Sequence, residues 1–171
     1  GALVEQMVGE LGGADLVLFD QPRANQATRI FLAAQVNATP EAVRAVLLDP
    51  AAYRRAIPSF QRAEVVATGS GAPPARQVAW ELEVPLWNLE GKLWLRPTRD
   101  GVDLALTEGD LAPGLFRLRV APLPTGALFW MEAQANVREA SWVARRLAAR
   151  SPLSEPAMTA AAAWVLLRAL A

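Results

Sequence analysis

The run Val36-Asn37-Ala38-Thr39-Pro40-Glu41-Ala42-Val43, continued by Leu47-Leu48-Asp49-Pro50-Ala51-Ala52-Tyr53 and Ile57-Pro58, carries the densest structural punctuation in the chain. Thr39 stands where an N-cap belongs, Pro40 suits the first helical position, and Glu41 places an anion in the first turn, where the helix dipole favours it. Val43, Val46 and Leu47 then share one helical face. Asp49-Pro50 repeats the cap-and-proline signal, so the first helix ends there and a second, short one carries Ala51, Ala52 and Tyr53 until Ile57-Pro58 stops it.

Working outward, the residues before this punctuation read as a strand. Arg29 to Val36 has strand composition and ends at Asn37, and Leu16-Val17-Leu18-Phe19 reads as a briefer strand after a short helix over Ala2 to Leu11. After Phe60 the period changes to two: Ala63, Val65 and Ala67 alternate with Arg62, Glu64 and Thr68. Gly69 to Pro74 is a turn, and Val78, Trp80, Leu82 and Val84 then oppose Gln77, Ala79, Glu81 and Glu83. Trp87, Leu89, Gly91, Leu93 and Leu95 oppose Asn88, Glu90, Lys92, Trp94 and Arg96, with Gly91 as a site for a bulge or bend. Further strands follow over Val102 to Leu106, Leu115 to Val120 and Ala127 to Val137. Beyond Ser141 the pattern turns helical. After Ser151-Pro152 a terminal helix is expected from about Glu155 through Leu170, with Ala157, Ala160, Ala161, Trp164, Leu167 and Ala171 on one face. Its apolar run is shorter than the ~20 residues that cross a bilayer.

The chain has 171 residues, a size that one hydrophobic core serves. We therefore read residues 1–171 as a single domain, with 1–27 as an N-terminal extension and 28–171 as the core. Seventeen basic residues balance seventeen acidic ones, without the basic concentration of a nucleic-acid footprint, so no nucleic acid is expected. With neither Cys nor His, the chain lacks thiol nucleophiles, disulfides, imidazole bases and the soft ligands of most zinc sites. No cofactor and no metal are expected. The absence of Cys suits reducing and oxidising surroundings alike. Gly1-Ala2-Leu3-Val4-Glu5 has neither the basic flank nor the apolar stretch of a signal peptide, and the expectation is a cytoplasmic domain, itself a mature form or an excised part of a longer chain.

The order of strand, two short helices, antiparallel meander and long terminal helix resembles the START-like (SRPBCC) superfamily of polyketide cyclases, coenzyme Q-binding proteins and lipid carriers. The opening from Val36 to Pro58 carries that resemblance most specifically; from there to Ala171 it lies in pattern and order. It implies an α+β helix-grip fold, in which a curved antiparallel sheet of about six to seven strands wraps the C-terminal helix, with two short helices after the first main strand. It also implies a cavity between sheet and helix.

The first functional reading is therefore binding or transport of a small hydrophobic ligand, such as a lipid, isoprenoid or polyketide-like molecule. Strand parity and the terminal helix nominate Trp80, Leu82, Trp87, Leu89, Leu93, Leu106, Phe129, Met131 and Trp164 as lining, although a filled core has the same composition. Tyr53, the sole tyrosine, would either offer a hydroxyl at the cavity mouth or anchor the short helix. Arg117 and Arg119 would orient a carbonyl or carboxylate if they face inward, and would solubilise the surface if they face out. The second reading is a cyclase, aromatase or dehydratase, whose acid–base chemistry would need Asp, Glu, Arg, Tyr or Lys. Glu90 and Glu132 sit on the polar parity and no residue is assigned a catalytic role, so the balance leans away from an enzyme. The third is a protein-partner or membrane-peripheral module, using Arg138, Arg145, Arg146 and Arg150 around Trp142, Val143 and Leu147 as a basic amphipathic surface.

Overall fold

A computed structural model of the chain describes residues 16–19, 28–57, 59–84 and 87–135. The expected N-terminal helix, terminal helix with Trp164, and basic stretch around Trp142 lie outside those residues. Among the described residues eight strands form one curved antiparallel sheet: β1 (Leu16–Phe19), β2 (Thr28–Val36), β3 (Phe60–Thr68), β4 (Arg76–Val84), β5 (Trp87–Thr98), β6 (Gly101–Gly109), β7 (Gly114–Pro122) and β8 (Ala127–Ala135). Their order is β1-β2-β8-β7-β6-β5-β4-β3, so β3 to β8 run as a meander and β2 closes against β8. The sheet exceeds the expected six to seven strands because Leu16–Phe19, which the sequence reading left in the extension, pairs with Phe31 to Ala33 and Ile30 of β2.

Two helices, α1 (Pro40–Leu48) and α2 (Pro50–Ala56), follow β2. The Thr39 hydroxyl accepts from the Ala42 amide at 3.2 Å, satisfying one of the orphan donors of the first turn. Asp49 ends one helix and begins the next: its own amide donates to the Val46 carbonyl at 3.1 Å, while its carboxylate accepts from the Ala51 amide at 3.0 Å. The C-terminal carbonyls of α1 are satisfied from elsewhere in the fold. Tyr53 donates its hydroxyl to the Leu47 carbonyl, and Arg76 of β4 donates to the Leu48 carbonyl. With no basic residue in its own last turn, α1 thus receives from the sheet the cation that its dipole favours there. Arg44 completes the tether by donating to the Thr98 carbonyl at 2.7 Å.

Tyr53 is buried, and its ring lies 6.3 Å from that of Phe60. Burial pushes its phenol well above the ordinary tyrosine range, with Arg76 opposing and Asp49 reinforcing the shift. A folded-state value above the unfolded one means that Tyr53 contributes stability fully below about pH 10, and that this contribution is lost as the pH rises further, because the unfolded chain ionises first. As Tyr53 is the only tyrosine, tyrosinate absorbance should stay flat through that region while the protein is folded and appear only with loss of the far-ultraviolet dichroism. An absorbance rise near pH 10 with the fold intact would show that the phenol is not enclosed.

One face of the sheet is apolar apart from Arg76 and forms the core with α1. Leu32, Ala34, Val78, Leu95, Val102, Leu104, Leu118, Phe129 and Met131 join Val43, Leu47 and Tyr53 in one buried cluster. β3 departs from the expected alternation. Its register shifts between Phe60 and Arg62 and again between Val65 and Ala67; only Ala63 is buried, and Val65 and Val66 are exposed. The second shift turns Ala67 to the face of Gln77, whereas Val65 stays opposite Val78 and is exposed because β3 is the outermost strand, paired among the described residues with β4 alone.

Candidate functional site

α1 lies across β6, β7 and β8, and α2 against β3. The anchors of α1 on Thr98 and Arg76 fix it at the end of the sheet where β5 finishes and β4 begins. The apolar face therefore has two halves. Beneath α1, Leu95, Val102, Leu104, Leu118, Val120 and Phe129 are almost fully buried. Toward the other end, in adjoining registers, stand Leu82 opposite Leu89, Trp80 opposite Gly91, and Leu93 opposite Leu106, while Phe116 opposite Leu104 borders the half under α1. In this half Trp80 and Leu106 are buried, but Leu82, Leu89 and Leu93 are only partly so.

Of the residues nominated from sequence, Trp80, Leu82, Leu89, Leu93 and Leu106 come together in that far half. Phe129, opposite Ala34 and Val120, belongs to the half under α1, and Met131 lies beside it between Leu32 and Leu118. Trp87 opens β5 opposite Val84. Three nominations require correction. Arg117 and Arg119 do not reach the apolar face, because β7 carries no register shift and the alternation that turns Phe116, Leu118 and Val120 inward turns both arginines outward. There Arg117 pairs with Glu132 at 3.1 Å, an exposed contact that contributes at most about 1 kcal/mol. Arg119 is better held: it meets Asp103 at 2.6 Å and Asp100 at 3.4 Å, and donates to the Val102 and Leu118 carbonyls. Tyr53 is the third, since its hydroxyl is committed to the Leu47 carbonyl and it anchors α2 to α1.

The far half holds one polar side-chain group of special interest. The indole of Trp80 lies over Gly91, where a Cβ would stand 3.1 Å from Cζ2, and its Nε1–H is buried with no hydrogen-bond partner among the described residues. Gly91 sits in turn against β6, and the register shifts just after it, between Lys92 and Leu93. Sequence reasoning nominated Trp80 but gave no special role to its N–H, nor to Phe116, whose parity with Leu118 was the available signal. No group of three or more His, Cys, Asp or Glu suited to a metal occurs among the described residues. Among those residues, too, no helix is long and apolar enough to cross a membrane.

The architecture is shared with solved structures. A START superfamily protein from Mycobacterium smegmatis superposes with a TM-score of 0.68 at 16% identity, over 83% of this chain and 93% of that one. The Zhui aromatase/cyclase from Streptomyces sp. R1128 gives 0.65 at 17% identity, over 83% and 90%. A STAR-related lipid transfer protein from Xanthomonas axonopodis gives 0.57 at 12%, over 83% and 89%. No protein-family model matches the chain, and no curated protein matches it in sequence. The fold is therefore START-like, an α+β architecture that identities this low establish without extending to activity.

Proposed function

We propose that this domain binds a small hydrophobic molecule, of lipid, isoprenoid or polyketide-like character, against the far half of its apolar sheet face. The observation that carries the reading is the cluster of Leu82, Leu89 and Leu93, which remain partly exposed around Trp80 while Leu95, Val102, Leu104, Leu118, Val120 and Phe129 under α1 are buried. A contiguous apolar surface with one aromatic wall and a single orienting polar group is the usual chemistry of a small-molecule site. Support also comes from the fold, which the aromatase/cyclase and the lipid transfer protein share. The strand carboxylates Glu81, Glu90, Asp103, Glu108 and Glu132 stand on the opposite parity, engaged with Arg62, Lys92, Arg117 and Arg119 or with Asn88. Simple retention needs none of them.

The test is native mass spectrometry of the purified protein, followed by denaturation and identification of what is released. A retained apolar compound, or uptake from a panel of lipids, isoprenoids and fused-ring aromatics, is the expected result. An empty protein that takes up no member of the panel would overturn the proposal.

A further inference from the structure

We infer that the site selects ligands carrying an acceptor-only oxygen, such as the carbonyl of a ketone, quinone or ester, and that Trp80 Nε1–H is the group that selects them. The inference rests on the proposed binding function and specifies its chemistry. Trp80 is only 4% exposed, its parity sets it on the apolar face between Leu82 and Val78, and its N–H has no partner among the described residues. A buried donor left without an acceptor is costly, because water would have bonded it in the unfolded chain. An indole N–H donates and cannot accept. A hydroxyl ligand meeting it would leave its own proton unpaired among leucines, and a carboxylate would carry a charge into apolar surroundings. A carbonyl oxygen incurs neither cost.

The position of the indole supports the same conclusion. Gly91 leaves room for the ring against β5, and Cζ2, the ring atom nearest to an added Cβ there, is one bond removed from the carbon that bears Nε1. The N–H edge is thus fixed over the strand at the point where Leu89 and Leu93, the neighbours of Gly91 on the same face, remain partly exposed. Because the N–H is closed to solvent and no described residue accepts from it, a molecule inserted against the sheet would supply the acceptor, and such a molecule is apolar over the rest of its surface.

The experiment compares α-tetralone with tetralin, two bicyclic probes of matched shape that differ by one carbonyl, on wild-type protein and Trp80→Phe. The six tryptophans give six indole N–H resonances in a nitrogen-15 spectrum, and the one lost in Trp80→Phe assigns Trp80. The wild type is expected to bind α-tetralone about tenfold more tightly than Trp80→Phe does, while tetralin affinity changes little. The Trp80 indole proton should move downfield with α-tetralone and not with tetralin. If both probes bind and lose affinity equally in the variant, or if the indole resonance stays in place, the selection is overturned and the binding function stands. Binding of tetralin alone has the same meaning. Binding of neither probe to the wild type overturns this inference, and the binding function falls with it if the lipid panel is also refused. Should Trp80→Phe fail to fold, the indole resonances of the wild type decide the question.

Discussion

Phe129→Ala is expected to lower the unfolding free energy by about 3–5 kcal/mol, a large share of what a domain of this size possesses. Phe129 is 1% exposed and stands opposite Ala34 and Val120, with Val43 and Leu47 of α1 in the same buried cluster. Its neighbours Ala34 and Val120 are small, and strands tied on both sides cannot collapse into the space the ring leaves, which places the cost at the upper end of the range for large-to-small changes. At roughly 2–4 °C per kcal/mol the melting temperature should fall by roughly 6–20 °C. Leu82→Ala is the informative comparison, because Leu82 is only partly buried and lies in the half of the face assigned to ligand. It should cost about 1–2 kcal/mol and alter apolar ligand uptake. Chemical denaturation of both variants measures the contrast. Equal losses would mean that the far half is packed as tightly as the half beneath α1, and would remove the basis for a site there.

That contrast shows how far the sequence could be read. The caps at Thr39 and Asp49 and the prolines after them are local devices, so the two helices were legible from a few residues each. Strand parity was legible wherever a strand is regular, which is why Trp80, Leu82, Leu89, Leu93 and Leu106 were set on one face correctly. The same alternation, followed through Phe116, Leu118 and Val120, turns Arg117 and Arg119 outward, and only a bulge, which β7 lacks, would have brought either of them in. Where a bulge does occur, parity fails: Ala67 alternates with Ala63 and Val65 in the sequence, but the shift between Val65 and Ala67 sets it opposite the outward Gln77, while Val65 keeps its place opposite Val78 and is exposed by the edge position of β3. The unpartnered Trp80 N–H was beyond sequence reading for a different reason. Whether a donor finds an acceptor depends on what several strands bring within about 3 Å of it, and no local pattern encodes that.

The other change of large expected effect lies where β5 and β6 cross. Gly109→Ala should destabilise the protein by at least about 2 kcal/mol. Its φ of 97° is one that a residue with a Cβ adopts only under strain, and the added Cβ would stand 2.1 Å from the Glu90 carbonyl oxygen and 2.4 Å from Gly91 Cα. Because both obstacles are backbone, relief requires β5 and β6 to separate at their paired positions Gly91 and Gly109, next to the register shift that bends the sheet under Trp80. Gly71→Ala provides the control. Gly71 also has a positive φ, 119°, but it lies in an exposed turn where the nearest obstacle is the Pro73 carbonyl at 3.4 Å. It should cost the conformational strain alone, about 1–2 kcal/mol. Denaturant midpoints for the pair separate the two contributions, and equal losses would mean that the strands part at no cost. With the larger loss found, a second measurement follows from the geometry: Gly109→Ala should displace the Trp80 indole resonance and Gly71→Ala should not, because the indole rests on Gly91, which the new methyl group would push away from β6.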